Sequence, residues 1–157
     1  MDEQVRDRRD RGRTVARLLV GLTALASVEV GLWALLAPSS FYRSFPGGGH
    51  SWVAVDGPYN QHLVRDVGEL NLALAVLGLT AAVLGTTVLI RLAAACFLVS
   101  GVPHLIYHAT HLENYEGFDR IGNLAALSVG VVLPALALAL TLVRAGSEHR
   151  RAATAGP

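Results

Sequence analysis

Four long apolar runs, separated by polar stretches and one tight turn, organise this sequence. The first runs from about Val15 to Leu36 and stops at Pro38-Ser39-Ser40. From about Leu63 to Tyr107 the chain stays apolar for far longer than one crossing of a bilayer needs, with Gly85-Thr86-Thr87 near the midpoint. Since a hydrocarbon core of ~30 Å takes about 20 helical residues, that stretch reads as two antiparallel helices joined by the turn. Pro103 adds a kink to the second of them. A polar segment from His108 to Asp119 separates the last run, which extends from about Arg120 to Val143.

The expected architecture is therefore all-α: an integral membrane four-helix bundle with spans at about 15–36, 60–84, 87–108 and 120–143. A transmembrane domain over 14–143 lies between a flexible or helical N-terminal arm (1–13) and a disordered tail (144–157). The alternative for the first run is a signal peptide, but its core is long, carries Glu29 and is followed by no clean cleavage site. Residues 38–60, rich in Pro, Gly and aromatics, predict a loop at the membrane surface, with a helix start near Pro58.

Composition agrees with the pattern. Among 157 residues, 52% are hydrophobic and only 16% charged, too apolar for an ordinary soluble domain. A net charge of +1 provides no field to recruit nucleic acid. The placement of charge is more informative than its sum. Arginines gather in the N-terminal arm, at Arg91 and in the tail, whereas only Arg43, Arg65 and Arg120 fall on the other side, so the positive-inside rule places both termini in the cytoplasm. All basic residues are Arg, a bias of GC-rich bacterial genomes that points to a bacterial inner membrane. The lone Cys96 lies in an apolar run as a packed small hydrophobe and forms no internal disulfide.

Ionisable side chains within membrane spans carry the candidate chemistry, because each costs about 2.5–3.5 kcal/mol on insertion scales. His62, Asp66 and Glu69 follow i, i+4, i+7 on the second run, and His104, His108 and His111 do the same on the third. Antiparallel helices would set these stripes level, acid against histidine, with Glu29 from the first span as a third wall. Arg65, Asn71 and Tyr107 would border the pocket, and Asp119, Arg120 and Asn123 would enter from its rim. Such a pocket would favour cations or protons.

Imidazole and carboxylate ligands drawn from His104, His108, Asp66, Glu69, Glu29, His111 and His62 suit a divalent Zn, Fe or Mn ion. Two further readings remain: a buried network that orders the bundle, and a proton relay or acid–base pair acting on a small or lipophilic partner. A non-enzymatic accessory or proton/ion transport subunit is the alternative to a metal protein with redox chemistry. Gly122, Ala126 and Gly130 form a small-residue seam suited to close helix packing or to a homodimer or membrane-partner contact. Gly47-Gly48-Gly49 lacks the Lys and Ser/Thr of a phosphate loop.

The four-span architecture and the stretch RDVGELNLALAVLGL at Arg65–Leu79 resemble small bacterial membrane proteins of the DoxX-like superfamily. That resemblance implies a redox-associated membrane function and assigns no catalytic residue.

Overall fold

The computed structural model describes the backbone from Asp2 to Thr154 and the side chains from Asp10 to Leu142. The arginines at 6, 8, 9, 144, 150 and 151 that weigh on orientation have side chains outside that range. Among the described residues five α-helices follow in order: α1 (Asp2–Leu36), α2 (Pro38–Ser44), α3 (Gln61–Leu84), α4 (Thr87–Thr110) and α5 (Gly117–Thr154). Two short 3₁₀ turns, Ala54–Asp56 and Leu112–Asn114, lie in the connections. Among the described residues there is no strand. Among the described residues four helical segments are long and apolar enough to cross a membrane: Asp10–Leu36, Gln61–Leu84, Thr87–Thr110 and Gly117–Leu142. Large apolar side chains such as Leu18, Leu25, Val76, Val99 and Ile121 point outward from all four. Such an apolar outer surface suits a multi-pass membrane protein.

Helix ends obey local chemistry. Gly85 closes α3 in the left-handed region at φ +65°, and Thr86 caps α4 by accepting from the Leu89 N–H. The α3–α4 connection is thus only two residues long. Arg17 of α1 donates to the carbonyls of Ala82 (2.8 Å) and Val83 (3.1 Å), satisfying the C-terminal turn of α3. Arg91 donates to the Thr141 carbonyl in the same way, tying the start of α4 to α5. The Thr141 hydroxyl itself donates to the Leu138 carbonyl of its own helix.

Small residues bring α1 and α3 into backbone contact. A Cβ on Gly68 would lie 2.7 Å from the Leu35 nitrogen and 3.0 Å from the Gly31 carbonyl oxygen. Gly78 is pressed between Ala24 and the Phe97 ring, and Gly21 faces Ala82. These contacts run in antiparallel register. Beneath them lies a core of Ala16, Val20, Ala24, Ala81, Ile90, Ala93, Ala94, Phe97 and Ala137. Tight approach of small side chains replaces bulky filling, as helix association in lipid favours.

The seam expected on α5 is used differently. Gly122 makes room for the Trp52 ring rather than for a helix, and Ala126 is exposed. Gly101 of α4 approaches the Gly130 carbonyl.

Three other expectations change. Pro38 does end α1, but it also starts α2 as a first-turn proline, where its missing N–H and fixed φ suit a helix start. The next helix begins not at Pro58 but at Gln61, where the Asn60 side chain accepts from the Leu63 N–H. At the other terminus, α5 continues to Thr154, through most of the stretch expected as a disordered tail.

Candidate functional site

α2 and the loop after it fold over the end of the bundle opposite the Gly85 turn. Phe41 is buried against Ala34 and Val64, with Trp33, Phe45 and Val53 packed around it. Trp33 meets Phe41 edge-on at 5.9 Å, and Phe45 meets Trp52 at 6.2 Å. This aromatic chain carries Trp52 across to α5, where its indole N–H donates to Asp119 Oδ1 at 2.7 Å. His50 Nδ1 lies 2.5 Å from the same carboxylate oxygen.

Tyr115, only 4% exposed, joins three elements. Its hydroxyl donates to the Trp52 carbonyl at 2.9 Å and lies 3.1 Å from His108 Nδ1. A hydroxyl has one proton, and a carbonyl can only accept. The Tyr115 oxygen must therefore accept from His108 Nδ1–H, which leaves the lone pair of the neutral imidazole on Nε2. Burial, with the Asp56 charge second, pushes the Tyr115 phenol up to about 12, so it remains a donor at neutral pH.

Asp56 forms the other knot. It accepts from Asn114 Nδ2 at 3.1 Å and from the Tyr107 hydroxyl at 3.4 Å. Its carboxylate also lies within electrostatic range of both His104 and His108.

The predicted stripes exist, but they do not face one another. At 100° per residue, the buried arc of α3 is set by Val64, Gly68, Ala75, Gly78 and Ala81. His62, Asp66 and Glu69 fall roughly 150–170° from its centre, and all three are exposed. On α4 the buried arc contains Ile90, Ala93, Ala94, Phe97 and His108, while His104 falls within about 40° of its centre yet is exposed, and His111 lies beyond the helix end at Thr110. Of the histidine stripe only His108 is buried, whereas the acid stripe points away from the bundle.

The contacts follow from that phase. His62 pairs at 3.2 Å with Asp66 of its own helix. Among the described residues, Arg65, Glu69, Glu29 and Arg120 make no side-chain hydrogen bond or ion pair. Asn71 turns back to the Val67 carbonyl at 2.9 Å. His104 and His108 meet edge-on at 4.7 Å, and His111 stacks on Tyr107 at 4.2 Å while its Nδ1 lies 2.8 Å from the Tyr107 carbonyl oxygen. Asn123 is buried on α5, and its Oδ1 lacks a partner.

Glu29 also lies outside the cluster. The buried arc of α1 is set by Ala16, Val20, Thr23, Ala24, Ser27, Gly31 and Ala34, and Glu29 falls roughly 160° from its centre. Among the described residues, no three His, Cys, Asp or Glu side chains converge so as to hold a metal ion. The residues that do converge with the histidines, Trp52, Asp56 and Tyr115, come from the connections. The aromatic enrichment of those connections was their only sequence signal.

The chain matches no protein-family model, no curated protein and no solved structure.

Proposed function

We propose that this chain is a non-enzymatic accessory subunit of a bacterial inner membrane, with both termini in the cytoplasm and a polar cluster that orders one end of the bundle. The observation that carries this reading is the Tyr115 hydroxyl, which bridges the Trp52 carbonyl and His108 Nδ1. The one imidazole buried among the described residues is thereby engaged in fastening a loop. Asp56 and Asp119, the acids near the histidines and Trp52, are likewise engaged by Tyr107, Asn114, Trp52 and His50. Groups that satisfy one another in this way set register and hold the cap. The uneven distribution of arginine supports the orientation, and the all-Arg composition supports the bacterial source.

A second reading is favoured by one observation. The rings of exposed His104 and buried His108 are in contact, and the tautomer of His108 leaves Nε2 as a ligand atom, oriented by a hydrogen bond at the other nitrogen as metal-bound imidazoles commonly are. On that reading the two histidines, with Asp56 in range, would hold a divalent Zn, Fe or Mn ion. Redox chemistry on a small or lipophilic partner, which the DoxX-like resemblance suggests, would then follow.

Metal analysis of the full chain purified in detergent separates the two. The accessory reading expects substoichiometric metal in the wild type, and folded but less stable His104→Ala and His108→Ala variants. One metal per chain, lost in both variants, would replace it with the second reading.

A further inference from the structure

Glu29 presents an unresolved physical problem. It sits in an exposed row on α1, Val15, Leu18, Leu22, Leu25, Glu29, Leu32 and Leu36, spaced alternately by three and four residues. Every other member of the row is an apolar side chain at least 44% exposed. The antiparallel contacts Gly21–Ala82, Ala24–Gly78, Gly31–Leu72 and Leu35–Gly68 place Glu29 level with Leu74, near the middle of α3. That is about 20 Å from Gln61 at 1.5 Å per residue, deep in the hydrocarbon layer if α3 spans a bilayer. Among the described residues Glu29 has no hydrogen bond or ion pair. A bare carboxylate facing lipid at that depth is among the costliest placements a membrane protein can make.

We infer that the α1 row is the contact by which two copies of this chain form a parallel two-fold dimer, with the two Glu29 side chains hydrogen-bonded to each other on the axis. A two-fold axis along the membrane normal brings a residue on the axis opposite its own copy at the same depth. A protonated carboxyl is both donor and acceptor, so it complements itself without any other residue. The spacing is that of a parallel coiled coil: Leu18, Leu25 and Leu32 take one set of seam positions, and a single polar residue interrupts the other set, the arrangement known to fix register and partner number.

Beside the row runs an open, mainly apolar groove between α1 and α3, bordered by Gly21, Leu22, Leu25, Leu79 and Ala82 and closed at one end by Thr14 and Arg17. Gly21 lowers its wall, and the leucines of a second α1 are knobs of the size that such a groove accepts. This inference requires the membrane reading of the four helices. It is independent of the role of the loop-end cluster.

The test uses the full chain carrying Cys96→Ser, reconstituted in phosphatidylethanolamine/phosphatidylglycerol vesicles, with energy transfer between donor- and acceptor-labelled copies measured as protein density varies. A reversible dimer is expected. Glu29→Leu should weaken it about tenfold, the worth of an interhelical hydrogen bond in lipid. Glu29→Gln, whose amide also donates and accepts, should stay within about threefold of the wild type. Leu25→Cys should cross-link to its own copy under mild oxidation, whereas Val99→Cys, exposed on α4, should not. A chain that remains monomeric, a Glu29→Leu variant as tight as the wild type, a Glu29→Gln variant as weak as Glu29→Leu, or preferential cross-linking at Val99→Cys would each overturn the inference. Should Glu29→Leu fail to fold, the Gln variant and the two cysteine positions decide it.

Discussion

Replacing Tyr115 with Phe removes one oxygen atom from the centre of the loop-end cluster and little else. The ring can keep its place beside His108, 5.8 Å away between centroids, so the loss is confined to hydrogen bonding. Two groups lose a partner: the half-buried Trp52 carbonyl, at 2.9 Å, and the buried His108 Nδ1, at 3.1 Å. Leaving a buried polar group unsatisfied costs about 1–3 kcal/mol, and His108 is only 7% exposed. The expected destabilisation is therefore about 2–3 kcal/mol, which for a chain of this length lowers Tm by roughly 4–10 °C.

Thermal unfolding in detergent, followed by circular dichroism, measures that shift, and its pH dependence adds a second check. The folded-state pKa of the phenol is raised to about 12, above the unfolded value, so its contribution is complete below about pH 10 and is lost as pH rises toward 12. The gap in Tm between wild type and Tyr115→Phe should consequently be constant from pH 7 to about 9.5 and narrow above that. A variant that melts within 1 °C of the wild type at neutral pH, or a gap that widens in alkali, would refute the bridging role.

Other positions make contrasting predictions. Gly68→Leu should abolish the folded bundle or lower Tm by well over 10 °C, because the new Cβ would meet the α1 backbone at 2.7 and 3.0 Å, where neither side can yield cheaply; yield of monodisperse protein and its helicity report this. Arg17→Met should cost about 1–3 kcal/mol by uncapping the Ala82 and Val83 carbonyls, with faster hydrogen exchange concentrated at the C-terminal turn of α3. His62→Ala should leave Tm unchanged within error, since its pairing with Asp66 is solvent-exposed, and a large loss would show that the α3 stripe is buried after all.

Much of the architecture is legible in the sequence because the long apolar runs impose it. Apolar run length marks the four helices, and Gly85 followed by Thr86 carries both the left-handed stop of α3 and the cap of α4. α2 was hidden because Pro38 reads as a stop, whereas it terminates one helix and initiates the next.

The candidate site was legible only in part. Helical spacing sets His62, Asp66 and Glu69 on one stripe of α3 and His104 and His108 on one of α4, with His111 just past the helix end, but spacing alone carries no phase relative to a neighbouring helix. That phase was present in a different set of residues. Gly68, Ala75, Gly78 and Ala81 mark the packed side of α3, and the acids lie opposite them. The partners that do reach the histidines, Asp56 and Tyr115, belong to connections without periodicity, and nothing local connects Trp52 with Asp119, 67 residues away.

A nitroxide scan along α3 in lipid vesicles, one label at a time from position 62 to 80 on the Cys96→Ser background and leaving out Gly68 and Gly78, where even a Cβ would meet its neighbours at 2.7 Å, tests the orientation of that stripe. Accessibility to dissolved oxygen should oscillate with the helical repeat, with maxima at 66, 69, 73 and 76 and minima at 64, 71 and 75. Maxima at 64, 71 and 75 instead would turn Asp66 and Glu69 into the bundle, toward His104 and His108, and would contradict the account.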